Sequence, residues 1–326
     1  MKRATRLLQL LAILLFLPLM AHAQSEDQHA FLWTEAGGMQ DLGTITGWQD
    51  SYALAISDSG QVVGNDNLNS DITTFRWTQS TGMQHLPGSS TTYSYAVAVN
   101  DSGEIAGIYY PTGNNPHAFV WTQTGGIQDL GTLGGITSSA TGINRSGQVV
   151  GYSATAAGVG HGFLWTQSGG MQDLGTFIPC AINDAGLMAG TTSSANGNSE
   201  AVVWNNGRIS ILGPGVAYGI NNRGQVTGAR FTPHTSPQQA FIWNPGGGGM
   251  QLLPLLPGAI VSYGLGINDS GEVAGWSLGN NNNPIEQAFI WTPTGGTLDI
   301  GNLGGGVAQA FAINDSGQVV GDSTIQ

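Results

Sequence analysis

Lysine is absent from this chain beyond residue 2, and cysteine occurs once. Charged residues make up only 9% of the sequence, against a usual share of about 25%. So low a charge density excludes a charge-stitched helical bundle or coiled coil. Lysine Schiff-base and Ser-Lys chemistry is excluded after residue 23, where the basic residues are five arginines against 20 acids. Sequence-independent phosphate binding needs clustered Lys and Arg, so nucleic acid is a poor partner, and anionic membrane surfaces are disfavoured for the same reason. A single Cys180 cannot form an internal disulfide. It sits in an apolar segment where sister segments carry Leu54, Val97 and Leu265, which reads as a small buried hydrophobe.

One long apolar run is present, at the N-terminus. Lys2, Arg3 and Arg6 precede Leu7 to Met20, and Ala21-His22-Ala23 follows as an A-x-A cleavage pattern. This is the layout of a secretory signal peptide, and the run falls short of the ~20 residues a span needs. Residues 1–23 are expected to be removed near Ala23-Gln24, leaving residues 24–28 as a short lead-in. The mature chain is then secreted or periplasmic, with no membrane span. Arg3 and Arg6 are not adjacent, and no Cys follows the cleavage site for a lipid anchor.

What the sequence has in quantity is glycine, at 52 positions, and repetition. Phe-x-Trp or its variant ends at Trp33, Trp77, Trp121, Trp165, Trp204, Trp243 and Trp291, with spacings of 44, 44, 44, 39, 39 and 48. A second pattern, Ile-Asn-Asp-Ser-Gly with an apolar run after it, recurs around Gly60, Gly103, Gly147, Gly186, Gly224, Gly271 and Gly317. Each unit reads as four short strands bounded by Gly, Asn, Asp and Ser. Strand A ends in Ile-Asn, B is Gln-Val-Val-Gly, C is Phe-x-Trp and D is Met-Gln-Asp-Leu. No stretch beyond the leader has a helical period.

Such units, about 40–50 residues long, predict an all-β, seven-bladed β-propeller of four-stranded blades over residues 29–326. An open β-solenoid tolerates the variable unit length less well. Small residues crowd strand A (Ala53 and Ala55, Ala96 and Ala98, Ala310 and Ala312), which places A nearest the axis. The chain opens with C and D and closes with A and B, so the two ends should complete one blade together. The recurring Phe and Trp read as packing between blades.

His-Ala-Phe-Leu-Trp at 29–33, His-Ala-Phe-Val-Trp at 117–121, Asp-Leu-Gly at 41–43, 129–131 and 173–175, and Ile-Asn-Asp-Ser-Gly-Gln-Val-Val-Gly at 313–321 carry a resemblance. Together they resemble the HAF-type extracellular repeat family of bacteria, over the whole mature chain. The resemblance implies export and a repeat architecture, and leaves activity open. Some copies depart from it. Thr73-Thr74 stands for His-Ala in the second, Glu200 for His in the fifth, and Gln239 and Gln287 in the last two. Ile211-Leu212-Gly213 replaces Asp-Leu-Gly in the fifth.

Catalytic motifs are not found. No Gly-x-Ser-x-Gly elbow or His-Glu-x-x-His occurs. His29, His117 and His161 hold one position in three different units, away from the axis, so they read as strand-start residues making local hydrogen bonds and not as a metal set. Asp41, Asp129, Asp173 and Asp299 recur by unit, which suggests a structural role. Asp66, Asn67, Asn69 and Asp71 form a weak calcium candidate with oxygen side chains at alternate positions. No cofactor is expected.

The segments that differ between units are the loops before A and after B. They carry Trp48, Tyr93, Tyr109, Tyr110, Phe231 and His234, and aromatics beside Asn, Ser and Thr suit stacking on carbohydrate or peptide. The reading is a monomeric binding or scaffold module for a polysaccharide or an exported protein. Two alternatives stay open. One is a glycan-active enzyme with paired carboxylates near the channel, and the other is a purely structural surface protein.

Overall fold

A computed structural model describes residues 27–68, 71–87, 93–111, 115–232, 236–279 and 285–326. The expected signal peptide lies outside these residues. The described chain is all β. Every named strand pair is antiparallel, and the strands form five four-stranded sheets and one seven-stranded sheet. Among the described residues no helix is long and apolar enough to cross a membrane.

Each four-stranded sheet follows the order A, B, C, D. The first is Asp50–Ile56, Val62–Leu68, Asp71–Thr78 and Gly82–His85. The sheet containing both ends runs Gly38–Gly43, Gln28–Thr34, Val319–Ile325, Gly304–Ile313. Strands C and D from the start of the chain thus pair with A and B from its end, Phe31 lying opposite Gly321 and Trp33 opposite Val319.

The seven-stranded sheet has a cause in sequence. In four other units the Asp of Asp-Leu-Gly accepts the N–H of the Gly two residues on, as Asp129 Oδ1 does from Gly131 at 2.8 Å, and the chain breaks from D into a loop. The second and sixth copies have His85 and Leu252 there, and Pro87 or Pro254 in the place of the Gly. The fifth copy has Ile211 with Gly213 after it, so neither the Asp turn nor a proline at that place ends strand D. Arg208–Ile220 runs straight through, pairing with Ser199–Asn205 by its first half and with Val226–Thr232 by its second. It serves as the D strand of one unit and the A strand of the next.

Every A strand carries a β-bulge at one place, between Ala53 and Ala55, Ala96 and Ala98, Ala140 and Gly142, Pro179 and Ala181, Ala217 and Gly219, Gly264 and Gly266, and Ala310 and Ala312. The extra residue is Leu54, Val97, Thr141, Cys180, Tyr218, Leu265 or Phe311. A bulge bends the strand and re-aims that side chain. It also pushes the A-strand carbonyl onto strand B. At Gly151 a Cβ would lie 2.0 Å from Ser139 O and 2.9 Å from the Phe163 ring. The Gly of Val-Val-Gly is required by this close approach.

The core lies between adjacent sheets. Phe31, Phe75, Phe119, Phe163, Phe241 and Phe289 are fully buried, and the clusters join one sheet's aromatics to its neighbour's aliphatics. Phe163 and Trp165, for example, pack with Ala106, Ala118 and Val120 of the preceding sheet.

Candidate functional site

The A strands surround a cavity of about 510 Å³, within the range of small-molecule sites. All seven bulge residues line it, so its wall is mostly apolar: Leu54, Val97, Thr141, Cys180, Tyr218, Leu265 and Phe311. Cys180 is buried there, and burial pushes its thiol up to about 12, which leaves it unreactive.

One end of the cavity is closed by the isoleucines that finish the A strands. Ile143, Ile182, Ile220, Ile267 and Ile313 face both this cavity and a smaller polar vestibule of about 170 Å³. Below them lies a ring of buried amides. Asn100 Nδ2 donates to Asn144 O at 3.0 Å, Asn144 to Asn183 at 3.1 Å and Asn183 to Asn221 at 2.9 Å. Asn221 continues to Asn268 at 2.8 Å, Asn268 to Asn314 at 3.2 Å, and Asn314 to Ser57 O at 3.0 Å. The last bond joins the end of the chain to its beginning. Each Asn also clamps its own turn, Asn144 Oδ1 accepting from the Ser146 and Gln148 backbone. The Asn-Asp-Ser-Gly pattern therefore links units as well as turning the chain, a role its local sequence does not display.

The other end of the cavity opens on the face that carries the D–A and B–C loops. Cross-strand pairs just inside it differ from unit to unit: Tyr52 with Asn65, Tyr95 with Ile108, Ser139 with Tyr152, Tyr263 with Trp276, and Gln309 with Asp322. Tyr263 stacks on Trp276 with ring centroids 4.7 Å apart. Gln309 donates through Nε2 to Glu286, and both line the cavity. Asp322 is wholly buried beside them. Burial, then the charges of Glu286 and Asp50, hold its carboxyl well above the usual range. Tyr52 is raised by burial and by the same Asp50 and Asp322. The Gln309 Oε1 and Asp322 Oδ1 atoms are buried without a hydrogen-bond partner. Residues 50, 286, 309 and 322 come from four separate segments, so spacing in sequence gave no sign of this group.

The loop aromatics are divided by the structure. Tyr93, 48% exposed, meets Tyr110 edge-on at 6.4 Å. Tyr95 is raised to about 12 by burial and then by Tyr110 and Tyr93, while Tyr110 is raised by burial and by Tyr152. These four tyrosines run from the rim to Tyr152 on the cavity wall. Tyr109 turns elsewhere. It packs edge-on against the buried Phe119, and burial followed by its hydrogen bond to Asp129 raises it to about 12. Trp48 lies edge-on to His85 at 5.1 Å. Phe231 is half-buried and does not line the cavity. His234 lies outside the described residues.

Asp66 and Asn67 belong to the weak calcium candidate. They are consecutive residues of a strand, Asp66 opposite Thr73 and Asn67 opposite Ile72, so their side chains leave opposite faces. Asn69 and the Asp71 side chain lie outside the described residues. Asp66 is instead 0% exposed, with His85 Nε2 at 3.8 Å. Burial, opposed by the Ile45 backbone, raises its carboxyl to about 7. Among the described residues no group of three His, Cys, Asp or Glu side chains could hold a metal ion.

The recurrent histidines face the recurrent aspartates. Nδ1 of His29, His117 and His161 lies 2.9 Å from Asp41, Asp129 and Asp173, and Gln287 Nε2 donates to Asp299 at 2.7 Å. His161 holds Asp173 below the carboxylate range. These pairs tie strand C to the end of strand D in four units, and none of them lines the cavity.

No family model matches the chain, and no curated protein does. Solved structures do. An oligogalacturonate lyase from Vibrio parahaemolyticus superposes with a TM-score of 0.54 at 8% identity, over 93% of this chain and 98% of that one. A Pyrococcus horikoshii acylaminoacyl peptidase gives 0.51 at 11% identity, over 84% of this chain and 49% of that one. TolB from Acinetobacter baumannii gives 0.50 at 11% identity, over 71% of this chain and 65% of that one. At such identities the likeness concerns fold alone. The protein is similar to propeller-like proteins of varied roles, and its own fold is all-β and propeller-like.

Proposed function

We propose that this protein is an exported seven-bladed propeller that binds a polysaccharide or another exported protein through the face where its cavity opens. Seven bulged inner strands around one cavity support the blade count, with Arg208–Ile220 shared by two blades. The leader sequence and the HAF-type motifs support export to the periplasm or beyond. The observation that carries the binding reading is the tyrosine series Tyr93, Tyr110, Tyr95 and Tyr152. Exposed aromatic faces that continue into a cavity suit stacking on sugar rings or on a partner's apolar side chains.

A second reading is favoured by a specific observation. Glu286, Asp322 and Asp50 gather beside the channel, with burial raising the Asp322 carboxyl well above the usual range, which is the kind of unequal carboxylate set a glycan-active enzyme uses. Against it, Asn65 occupies the place of Asp322 in another unit and bonds to both backbone groups of Ala96. That position therefore serves a structural purpose in at least one unit.

One incubation separates the readings. The purified protein is mixed with a panel of polysaccharides, cell-wall material included. Loss of protein from solution and appearance of new chain ends are both measured. Depletion that is abolished by Tyr93→Ala with Tyr110→Ala, without new ends, is the expected result. New chain ends that vanish in Glu286→Gln would replace the binding reading with the enzymatic one. Neither signal on any glycan would leave a protein partner as the form of the proposal to pursue.

A further inference from the structure

We propose that the channel takes a primary alkylammonium group, its carbon chain along the bulge residues and its charged nitrogen between Glu286 and Gln309. The inference goes beyond the reading above, because it concerns the channel and holds whatever the loop face binds.

The polar end of the cavity is built of acceptors. Gln309 is 2% exposed and lines the cavity, and its amide is oriented because Nε2 is committed to Glu286. Its Oε1 therefore presents a lone pair with no donor to meet it. Glu286 places a carboxylate on the same wall, and among the described residues no Lys, Arg or His lines the cavity. A buried acceptor without a donor is costly, so a guest that donates to it recovers that cost. An orphaned amide oxygen beside a carboxylate calls for N–H donors on one positive centre, which describes an ammonium head. A carboxylate or phosphate guest would be repelled.

The rest of the cavity selects the tail. Leu54, Val97, Leu265 and Phe311 give an apolar wall, and the isoleucine constriction closes its far end. Tyr52, Tyr263 and Trp276 add aromatic surface where the head would sit, favourable to a cation. The protein itself cannot fill the site with an amine side chain, since no lysine follows residue 2. The amine could be a free alkylamine or a lysine side chain of a partner protein, and the two share one chemistry.

Titration calorimetry on the purified protein tests this with octylammonium, octan-1-ol, octanoate and a blocked Gly-Lys-Gly peptide. Octylammonium is expected to bind one molecule per chain, with octan-1-ol and octanoate weaker by about tenfold or more. Peptide that displaces octylammonium would identify lysine as the source. Octylammonium binding without displacement would identify a free amine. Octanol or octanoate binding as tightly as the amine, or no binding of octylammonium, overturns the inference. Glu286→Gln keeps shape and hydrogen-bonding capacity. It should weaken octylammonium by about tenfold with the melting curve preserved. Unchanged affinity in this variant also overturns it.

Discussion

Asp66 shows what a single residue change between repeats can do. In two other units its place is taken by Ser153 and Ser323, whose hydroxyls accept the N–H of Leu133 and Leu303 at 2.9 Å. A hydroxyl does this without charge, whereas a buried carboxylate must be desolvated. Its folded value of about 7 lies above the unfolded carboxylate value near 3.8. The folded state therefore holds a proton that the unfolded state has lost. The stabilisation is complete below about pH 4 and drains away as pH rises towards 7. Asp66→Ser should remove that loss. Thermal melts of the two proteins from pH 4 to 8 should agree in acid and diverge in favour of the serine variant at neutral pH. Parallel curves would mean that Asp66 keeps its charge when folded. Asp322, raised in the same direction, is unchanged in both proteins and so cancels from the difference.

At the scale of strands and turns, two recurring residues bear most of the geometry. Gly151 allows strand A to bulge against strand B, and Gly151→Ala places a methyl group on the Ser139 carbonyl. Its expected cost is on the order of 2–4 kcal/mol or more, read as a lowered denaturant midpoint. Ala at the half-exposed Thr166 would shift it little. Asn183 serves three bonds, donating to Asn221 O and accepting from Ala185 and Leu187 N–H. Asn183→Ala should cost roughly 1–3 kcal/mol, because the groups it served are buried. Sequence reading identified these strands, their order and the tight turns, since Phe-x-Trp and Ile-Asn-Asp-Ser-Gly recur with their local chemistry intact. It did not identify the amide ring. The partner of each Asn is the Asn of the next unit, some 40 residues away, and a pattern that repeats by unit looks local when read one copy at a time. The cavity group was hidden for the opposite reason. Glu286, Gln309 and Asp322 do not recur, and nothing in their immediate neighbours marks them. Of the loop aromatics, Tyr93 and Tyr110 meet near the cavity, whereas Tyr109 follows strand alternation onto Phe119.

The whole molecule is held together by the meeting of its two ends. Gln28–Thr34 pairs with Val319–Ile325, and Asn314 and Asp315 reach Ser57 and Asp58 across 257 positions. Contacts of such separation form late and at high entropic cost, so folding should be slow for a chain of this size. Truncation before Val319 strips strand C of its partner, leaving an open edge. The truncated protein is expected to lose its cooperative melt and to associate on a sizing column. A monomeric, cooperative truncation would show that the end pairing contributes little. The strand Arg208–Ile220 has a further consequence, for mechanics. Elsewhere a loop between sheets can pay out and let one unit detach while its neighbours stand. Here the two flanking sheets share a continuous strand, so tension on one is transmitted directly into the other. Stretched from its ends, the molecule should yield most units singly and this pair as one longer extension, and restoring the turn with Ile211→Asp should divide that step in two.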